Sequence, residues 1–418
     1  MKESHHSSFI IHHSNNKGQS LVEILVALGV GTILIIGATG VIIPSLRANT
    51  QADKILVSSA LGKELIENVR VFSEGDWHNI FNLATSSANK YFLVPASPFV
   101  TATGTEGIIA DGITSGLVGY WKLDEATGTK IYDFSGNGNN GTSTGGPVST
   151  TGQVSQALSF NGSNYVEVNN SSSISMGTDA HTAAAWIKLN SYGTYRPVIA
   201  KRSGGIVDFS YHIDDSASDG KMASYNGSTS VGSTSTVSLG VWHHVAWVYS
   251  SSTVFFYLDG APNGSASQTS GAANSANLYI GKDNGTTQFY FDGSIDDTRL
   301  YNRALSASEV KTLYSSNIYT RYFYIDNVGR DASGNILSSG GTNDPSTKKL
   351  TAVYGWPNGP TNSFSTYLTR FQNNVFDQTD WSGGPGQEGP ATTTNSRFST
   401  STSIYYATTT GSIMIQLQ

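Results

Sequence analysis

The sequence predicts an α+β chain. A long N-terminal helix able to cross a membrane carries a small β-domain, and an all-β module of two antiparallel sheets interrupts that domain. Three observations predict this. From Leu21 to Ile43 the chain is apolar apart from Glu23, Thr32, Thr39 and several glycines. Beyond Pro44, the residues Leu61, Leu65, Val69 and Phe72 recur at helical spacing. Between Gly116 and Ser316 many short alternating stretches are separated by turn residues, while the texture on either side of that block is alike.

The 418 residues suffice for two or three domains with cores of their own. Only 13% are charged, and Gly, Ser, Thr and Asn abound, which suits short strands joined by tight turns. A net charge of −6 without a basic block offers nothing to replace phosphate counterions, so nucleic acid is not an expected partner. With no cysteine, disulfides, thiolate metal sites and cysteine nucleophiles are excluded.

The apolar stretch is about 23 residues, which at about 1.5 Å each spans a hydrocarbon core of about 30 Å. A secretory signal has a shorter apolar run followed by a small-residue cleavage site. Here the plausible cut lies before the run, at Gly18–Gln19. A plain anchor would also leave Glu23 unexplained, because a carboxylate inside a spanning segment costs about 2.5–3.5 kcal/mol on insertion scales. The run Lys17-Gly18-Gln19-Ser20-Leu21-Val22-Glu23 resembles the processing site of type IV prepilins and pseudopilins. The resemblance implies that a prepilin peptidase cuts after Gly18 and that the helix is retained. It also implies that Glu23 meets the freed N-terminal amine of a neighbouring subunit, a pair favoured over either charge alone at low dielectric. Gln19 stands where the family usually has an aromatic residue that becomes N-methylated. The histidines of "SHHSSFIIHHSN" fall in the leader and read as a polar tail rather than a metal site.

Pro44 should bend the helix without ending it, since helical pattern resumes at once and runs to about Phe72, closed by Gly75. Its second half should pack on a small β-domain, as in pilins. Strand-and-loop texture from Tyr91 to Ile113 resumes at "NIYTRYFYIDNVGRDASGN" and at "KKLTAVYGW", where Leu350, Ala352 and Tyr354 alternate. The boundaries read as 1–18 leader, 19–72 helix, 73–115 and 317–370 the two parts of the small domain, and 116–316 the inserted module. Residues 371–418 are Gly/Ser/Thr-rich with a strand-like end, either a surface tail or the start of a further module.

Within 116–316, the stretches "QALSFNG", "NYVEVN", "AAAWIKL", "RPVIAKR", "WHHVAWVYS", "TVFFYLDG", "ANLYIGKD" and "YFDGSIDDTRLY" read as strands. At "GLVGYWKLDEATGTKIYDFSGNGNNGT", "WHHVAWVYSSSTVFFYLDG" and "FDGSIDDTRLYNRALSASEVKTLY" the block resembles the laminin-G-like, concanavalin A-like jelly rolls. The resemblance implies two curved sheets with first and last strands adjacent, which suits insertion at an exposed loop.

Glycoside hydrolysis needs two carboxyl groups flanking one bond, and Glu125, Glu167 and Glu309 are scattered, so no enzyme is expected. A membrane-tethered glucanase is the weaker alternative. "YHIDDSASD" reads as a strand running into a turn. His243 and His244 are adjacent on a strand and face opposite ways, His244 with Trp242 and Ala246, and His243 with Val245, Trp247 and Tyr249. Calcium is the candidate cofactor. Asp133, Asn137 and Asn140 offer oxygens in a glycine-rich turn, Asp296 shares a face with Thr298 and Leu300 that turns inward, and calcium takes about six to eight such ligands. The alternative is an Asx-turn at Asp133 with Asp296 bonded to backbone amides. In "NSYGTYRP", Tyr192, Tyr195 and Arg196 are the candidate sugar-binding residues. The chain thus reads as a prepilin-like subunit, anchored in the membrane with its bulk outside the cytoplasm, displaying a module for adhesion or for glycan or protein binding. The alternative is a pseudopilin of a type II secretion or DNA-uptake system. Prepilin peptidase and other pilin or pseudopilin subunits are the expected partners.

Overall fold

A single helix, Leu21–Gly75, opens the part of the chain that the computed structural model describes, namely residues 21–95, 99–214, 218–356 and 359–370 and the backbone of two short strands beyond. The described residues up to Leu56 and those from Val57 onward form separate compact units. In the first, the helix is long and apolar enough to cross a membrane, and its apolar side chains are exposed, Ile33 by 71% and Ile36 by 69%. Thr32 donates its hydroxyl to the carbonyl of Leu28 at 3.0 Å, and Thr39 to that of Ile35 at 2.9 Å. Neither hydroxyl is therefore unmet along this apolar helix. Pro44 lies inside the helix, and Glu23 sits in its first turn, where the helix dipole favours an acid.

In the second unit, Leu65, Ile66, Val69 and Phe72 of the helix pack on Phe323, Ile325, Leu350 and Ala352 of a seven-stranded antiparallel sheet. Gly62 lets the helix approach that sheet, since any side chain there would meet the ring of Tyr354. The sheet runs Val100–Thr103, Tyr91–Val94, Ile318–Arg330, Thr342–Gly355, Asn362–Thr369. Glu106–Ile109 pairs with the start of Ile318–Arg330, Ile109 opposite Ile318, and Ile336–Leu337 pairs with its end. Strands from before and after the module thus lie side by side, and the chain leaves and re-enters this sheet at adjacent points. We call it the stalk sheet.

Between them lie two eight-stranded antiparallel sheets. The first runs Ala261–Ser267, Thr253–Leu258, His243–Ser250, His181–Leu189, Asp292–Tyr301, Gln156–Asn161, Val148–Thr151, with Leu117–Trp121 also paired to Asp292–Tyr301. The second runs Ser230–Thr236, Lys221–Tyr225, Ile206–Ile213, Arg196–Ser203, Leu278–Ile280, Tyr165–Val168, Gly141–Thr144, Lys130–Ile131. Their inner faces share one core that includes Trp121, Phe160, Phe209, Tyr211, Trp247, Phe256 and Ile295. The module's first and last strands are neighbours, with Arg299 opposite Tyr120. The helix Ala307–Ser315, opened by a Ser306–Glu309 capping box, covers the other face of the first sheet through Val310 and Leu313. Further on, Ile404–Tyr406 pairs antiparallel with Ile413–Ile415.

Candidate functional site

Gly18 and Gln19 lie outside the described residues. Asp133, Asn137 and Asn140 do gather in one turn, held by hydrogen bonds. Asp133 Oδ1 accepts the amides of Tyr120 and Ser135, both at 2.9 Å. Its Oδ2 accepts the Ser135 hydroxyl and the Asn139 amide, both at 2.8 Å. The amide of Asp133 donates to Asn140 Oδ1 at 3.0 Å, and Asn137 Nδ2 donates to the carbonyl of Leu117 at 3.2 Å. The neighbouring Asn139, which sequence reasoning passed over, closes the turn onto the core, its carbonyl accepting from Trp121 Nε1 at 2.8 Å.

Asp296 is elsewhere. The core claims Ile295 and Leu300, five positions apart, which strict alternation forbids. Asp297, at φ 53°, is the extra residue of a bulge: opposite Trp186 stands Asp296, and opposite Ala184 stands Arg299. The bulge turns Asp296 away from the core rather than inward. Its Oδ2 accepts the amides of Gln153 and Val154 at 2.8 and 2.9 Å, whereas its buried Oδ1 has no partner among the described residues. Burial, with the carboxylates of Asp297 and Asp124 beside it, raises its pKa well above the usual range. The oxygens of Asp133 are taken by four donors and Asp296 binds a separate pair of amides, so the two carboxylates have no donor in common. Among the described residues, no group of three or more His, Asp or Glu side chains could hold a metal ion.

The scattered glutamates have structural partners. Glu309 caps its helix and pairs with Arg303 at 2.6 Å. Glu167 accepts from Asn277 and Tyr279. Glu125 accepts the amide of Tyr132 at 2.9 Å, and burial pushes its pKa up to about 7. His243 links Ser238 and Asp259 at the start of its strand, at 2.6 and 2.8 Å. His244 lies on the opposite face against Trp186, its pKa held down to about 3 by burial and by Arg299. His181 Nδ1 lies 2.8 Å from the carbonyl of Asp179, so Nδ1 carries the hydrogen and Nε2 accepts from the Tyr211 hydroxyl at 2.6 Å. Burial holds its pKa down to about 4.

A buried charge network joins the module to the stalk. Glu106 of the stalk sheet takes Lys122 of the module and Arg321 of the stalk, each at 2.7 Å. Arg321 also reaches Glu64 of the helix at 3.4 Å. Burial opposes the charge of Glu106, yet the two cations hold its pKa below the ordinary value. Asp124 of the module accepts the Gly107 amide at 2.6 Å, and Arg299 meets Asp111 at 2.5 Å and Asp297 at 3.3 Å.

On the outer face of the second sheet lies a cleft of about 190 Å³. Phe209, Tyr211 and Ile213 face the core, so the alternate His212 and, on the next strand, Tyr225 face outward. The hairpin Lys282–Asn284 to Gln288–Tyr290 forms the other wall with Asp283, Thr286, Thr287 and Phe289. Tyr195, held at φ 52° in the loop before Arg196–Ser203, packs its ring on Phe289 at 4.8 Å and on His212 at 5.1 Å. Of the three candidate sugar-binding residues, Tyr195 alone lines this cleft. Tyr192 donates its hydroxyl to the carbonyl of Val237 at 2.9 Å. Arg196 braces the loop through Ser191 Oγ at 3.2 Å and the carbonyl of Tyr290 at 3.4 Å. The residues that sequence reasoning missed are Arg202, His212, Tyr225, Asp283 and Phe289. His212 and Tyr225 stand at outward positions of strands whose alternate residues are core, whereas the hairpin residues Asp283 and Phe289 carry no such pattern.

Residues 160–311 match the sequence model of the concanavalin A-like lectin/glucanases superfamily, Laminin_G_3. Residues 13–39 match the prokaryotic N-terminal methylation motif. No curated protein matches the chain. Similar solved structures include domain 4 of AbnA, a GH43 extracellular arabinanase from Geobacillus stearothermophilus, in complex with arabinotriose. The two are 18% identical over 48% of this chain and 99% of that one, with a TM-score of 0.40. The binding domain of Paraclostridial mosquitocidal protein 1 is 15% identical over 60% of this chain and 75% of that one, at 0.39. Trypanosoma rangeli sialidase is 17% identical over 59% of this chain and 38% of that one, at 0.37.

Proposed function

From an N-terminal methylation motif and a concanavalin A-like module in one chain, we propose that this protein is a membrane-anchored, prepilin-like subunit whose module binds a glycan outside the cytoplasm. A prepilin peptidase cuts after Gly18, the helix from Leu21 onward stays in the membrane, and Glu23 pairs with a neighbouring subunit's amine during assembly. The module is carried on the stalk sheet, braced by Glu106, Lys122 and Arg321. The role is binding rather than hydrolysis, which is supported by the structural partners of Glu309 and Glu167.

The observation that carries the glycan reading is the cleft. Aromatic rings beside a few fixed polar groups are the usual make-up of a small-molecule site, and sugar rings present apolar C–H faces to aromatic side chains. The test is a glycan array probed with the full chain in detergent micelles. Tyr195→Ala is expected to abolish the signal without lowering the melting temperature by more than a few degrees. Unchanged array binding by Tyr195→Ala would move the glycan site away from this cleft.

A further inference from the structure

The cleft's charges say which sugars it takes. Asp283 is buried, and both its oxygens meet Arg202 Nη1, at 3.0 and 3.1 Å; the Ser210 hydroxyl adds a third bond at 2.7 Å. Arg202 is fixed as firmly. Its Nε donates to the carbonyl of Gly204 at 2.8 Å, and its guanidinium lies 5.0 Å from the Tyr225 ring centroid. Gly285 backs it on another side, where an added Cβ would stand 2.5 Å from Cζ. The pair is thus neutral as a unit and locked before any ligand arrives, so little is lost in ordering it on binding. Among the described residues lining the cleft, no lysine or second arginine is left over for a carboxylate, sulfate or phosphate, and Asp283 would repel one.

The pair still has capacity for uncharged partners. Among the described residues, Arg202 Nη2 has no hydrogen-bond partner, and each carboxylate oxygen accepts more than one bond. A donor and an acceptor side by side suit two adjacent hydroxyl groups, each of which both donates and accepts. Tyr195 and Phe289 offer rings for the sugar's C–H face, and the exposed Thr286 and Thr287 stand at the mouth. At about 190 Å³ the cleft falls below the roughly 300–1,000 Å³ of drug-sized sites. One sugar ring fills it.

Resting on the glycan reading above, we infer that the cleft takes the terminal, uncharged residue of a glycan, gripping a vicinal hydroxyl pair with Arg202 and Asp283 and stacking its ring on Tyr195 and Phe289.

The test uses the full chain in detergent micelles on arrayed pairs of glycans. One member ends in a neutral hexose or pentose, the other in the same glycan capped by a sialic or uronic acid. Neutral ends are expected to bind at least about tenfold better. Methyl glycosides of the best neutral sugar then compete, and single-deoxy analogues at two adjacent positions should each compete about tenfold less well. Asp283→Asn, which keeps the shape, should lose the neutral signal, and circular dichroism reports whether it folds. Equal or better binding of the acid-capped glycans, or loss on deoxygenation at no adjacent pair, overturns the inference and leaves the glycan reading standing. An array with no binding at all overturns both.

Discussion

Replacing Glu106 by alanine tests how the module is held. Glu106, Lys122 and Arg321 are 4%, 5% and 9% exposed, and the carboxylate meets each cation at 2.7 Å. Removal strands two buried cations. A hydrogen bond to a charged group contributes about 1.5–3 kcal/mol, and breaking a buried pair by deleting one partner costs about 3–5 kcal/mol. Arg321 keeps Glu64 at 3.4 Å, which holds the loss toward the lower end of that range. The assay is urea unfolding of the full chain in detergent, followed by tryptophan fluorescence, with Trp121 and Trp247 reporting on the module. At roughly 2–4 °C per kcal/mol for a domain of this size, the companion thermal melt should fall by about 6–20 °C. Glu106→Gln, which keeps the volume and loses the charge, should fall nearly as far. A loss under about 1 kcal/mol in both variants would refute the argument that these charges are coupled in a dry site. Fragments give a second arm. A module beginning at Gly116 lacks Glu106 and Asp111 and should melt below one beginning at Thr105, since Lys122 loses Glu106 and Arg299 keeps only its partners within the module.

Other predictions follow from single sites. Glu125, with burial raising its pKa to about 7 from 4.5, stays protonated in the folded chain where the unfolded chain has already ionised. Its contribution is full below about pH 4.5 and falls away as pH rises through 7, a change of about 3 kcal/mol. Glu125→Gln should therefore leave stability unchanged at pH 4 and raise it at pH 8; equal effects at both would contradict the burial argument. Gly62→Ala should destabilise by about 1–3 kcal/mol through its clash with Tyr354, although alanine's helix preference alone would gain about 1 kcal/mol. A more stable variant in urea would show that the helix does not approach the sheet this closely. Calcium or chelator should not move the melting curve, because four donors already fill the oxygens of Asp133. A calcium-dependent rise abolished by Asp133→Ala would restore a cation site at that turn.

How far the sequence could be read follows from where the apolar residues fall. "TVFFYLDG" is a β-branched and aromatic run closed by a turn signal, and it forms Thr253–Leu258. Ser230–Thr236 does not alternate, because it sits at a sheet edge and is mostly exposed, so its Ser/Thr/Gly run reads as loop. The long helix was legible from Leu65, Val69 and Phe72, whose spacing is that of the face buried on the stalk sheet. Asp296 was misplaced because a single left-handed residue, Asp297, shifts the alternation by one, and carboxylate bulges have no apolar signature. Glu106 and Arg321 are 215 positions apart, and nothing local announces a bond that the insertion itself separates. The cleft was legible only at Tyr195, a loop aromatic. Arg202 and Asp283, 81 positions apart, meet because the hairpin after Leu278–Ile280 folds over the outer face of its own sheet.

A module displayed on an assembled subunit requires a retained helix and a removed leader, so the fate of the N-terminus decides between display and release. The measurement is N-terminal sequencing of the protein extracted from membranes that contain a prepilin peptidase. The predicted result is a chain beginning at Gln19, with Leu21 onward still attached. A chain beginning at Met1, or one cut beyond Ile43 and released from the membrane, would contradict it.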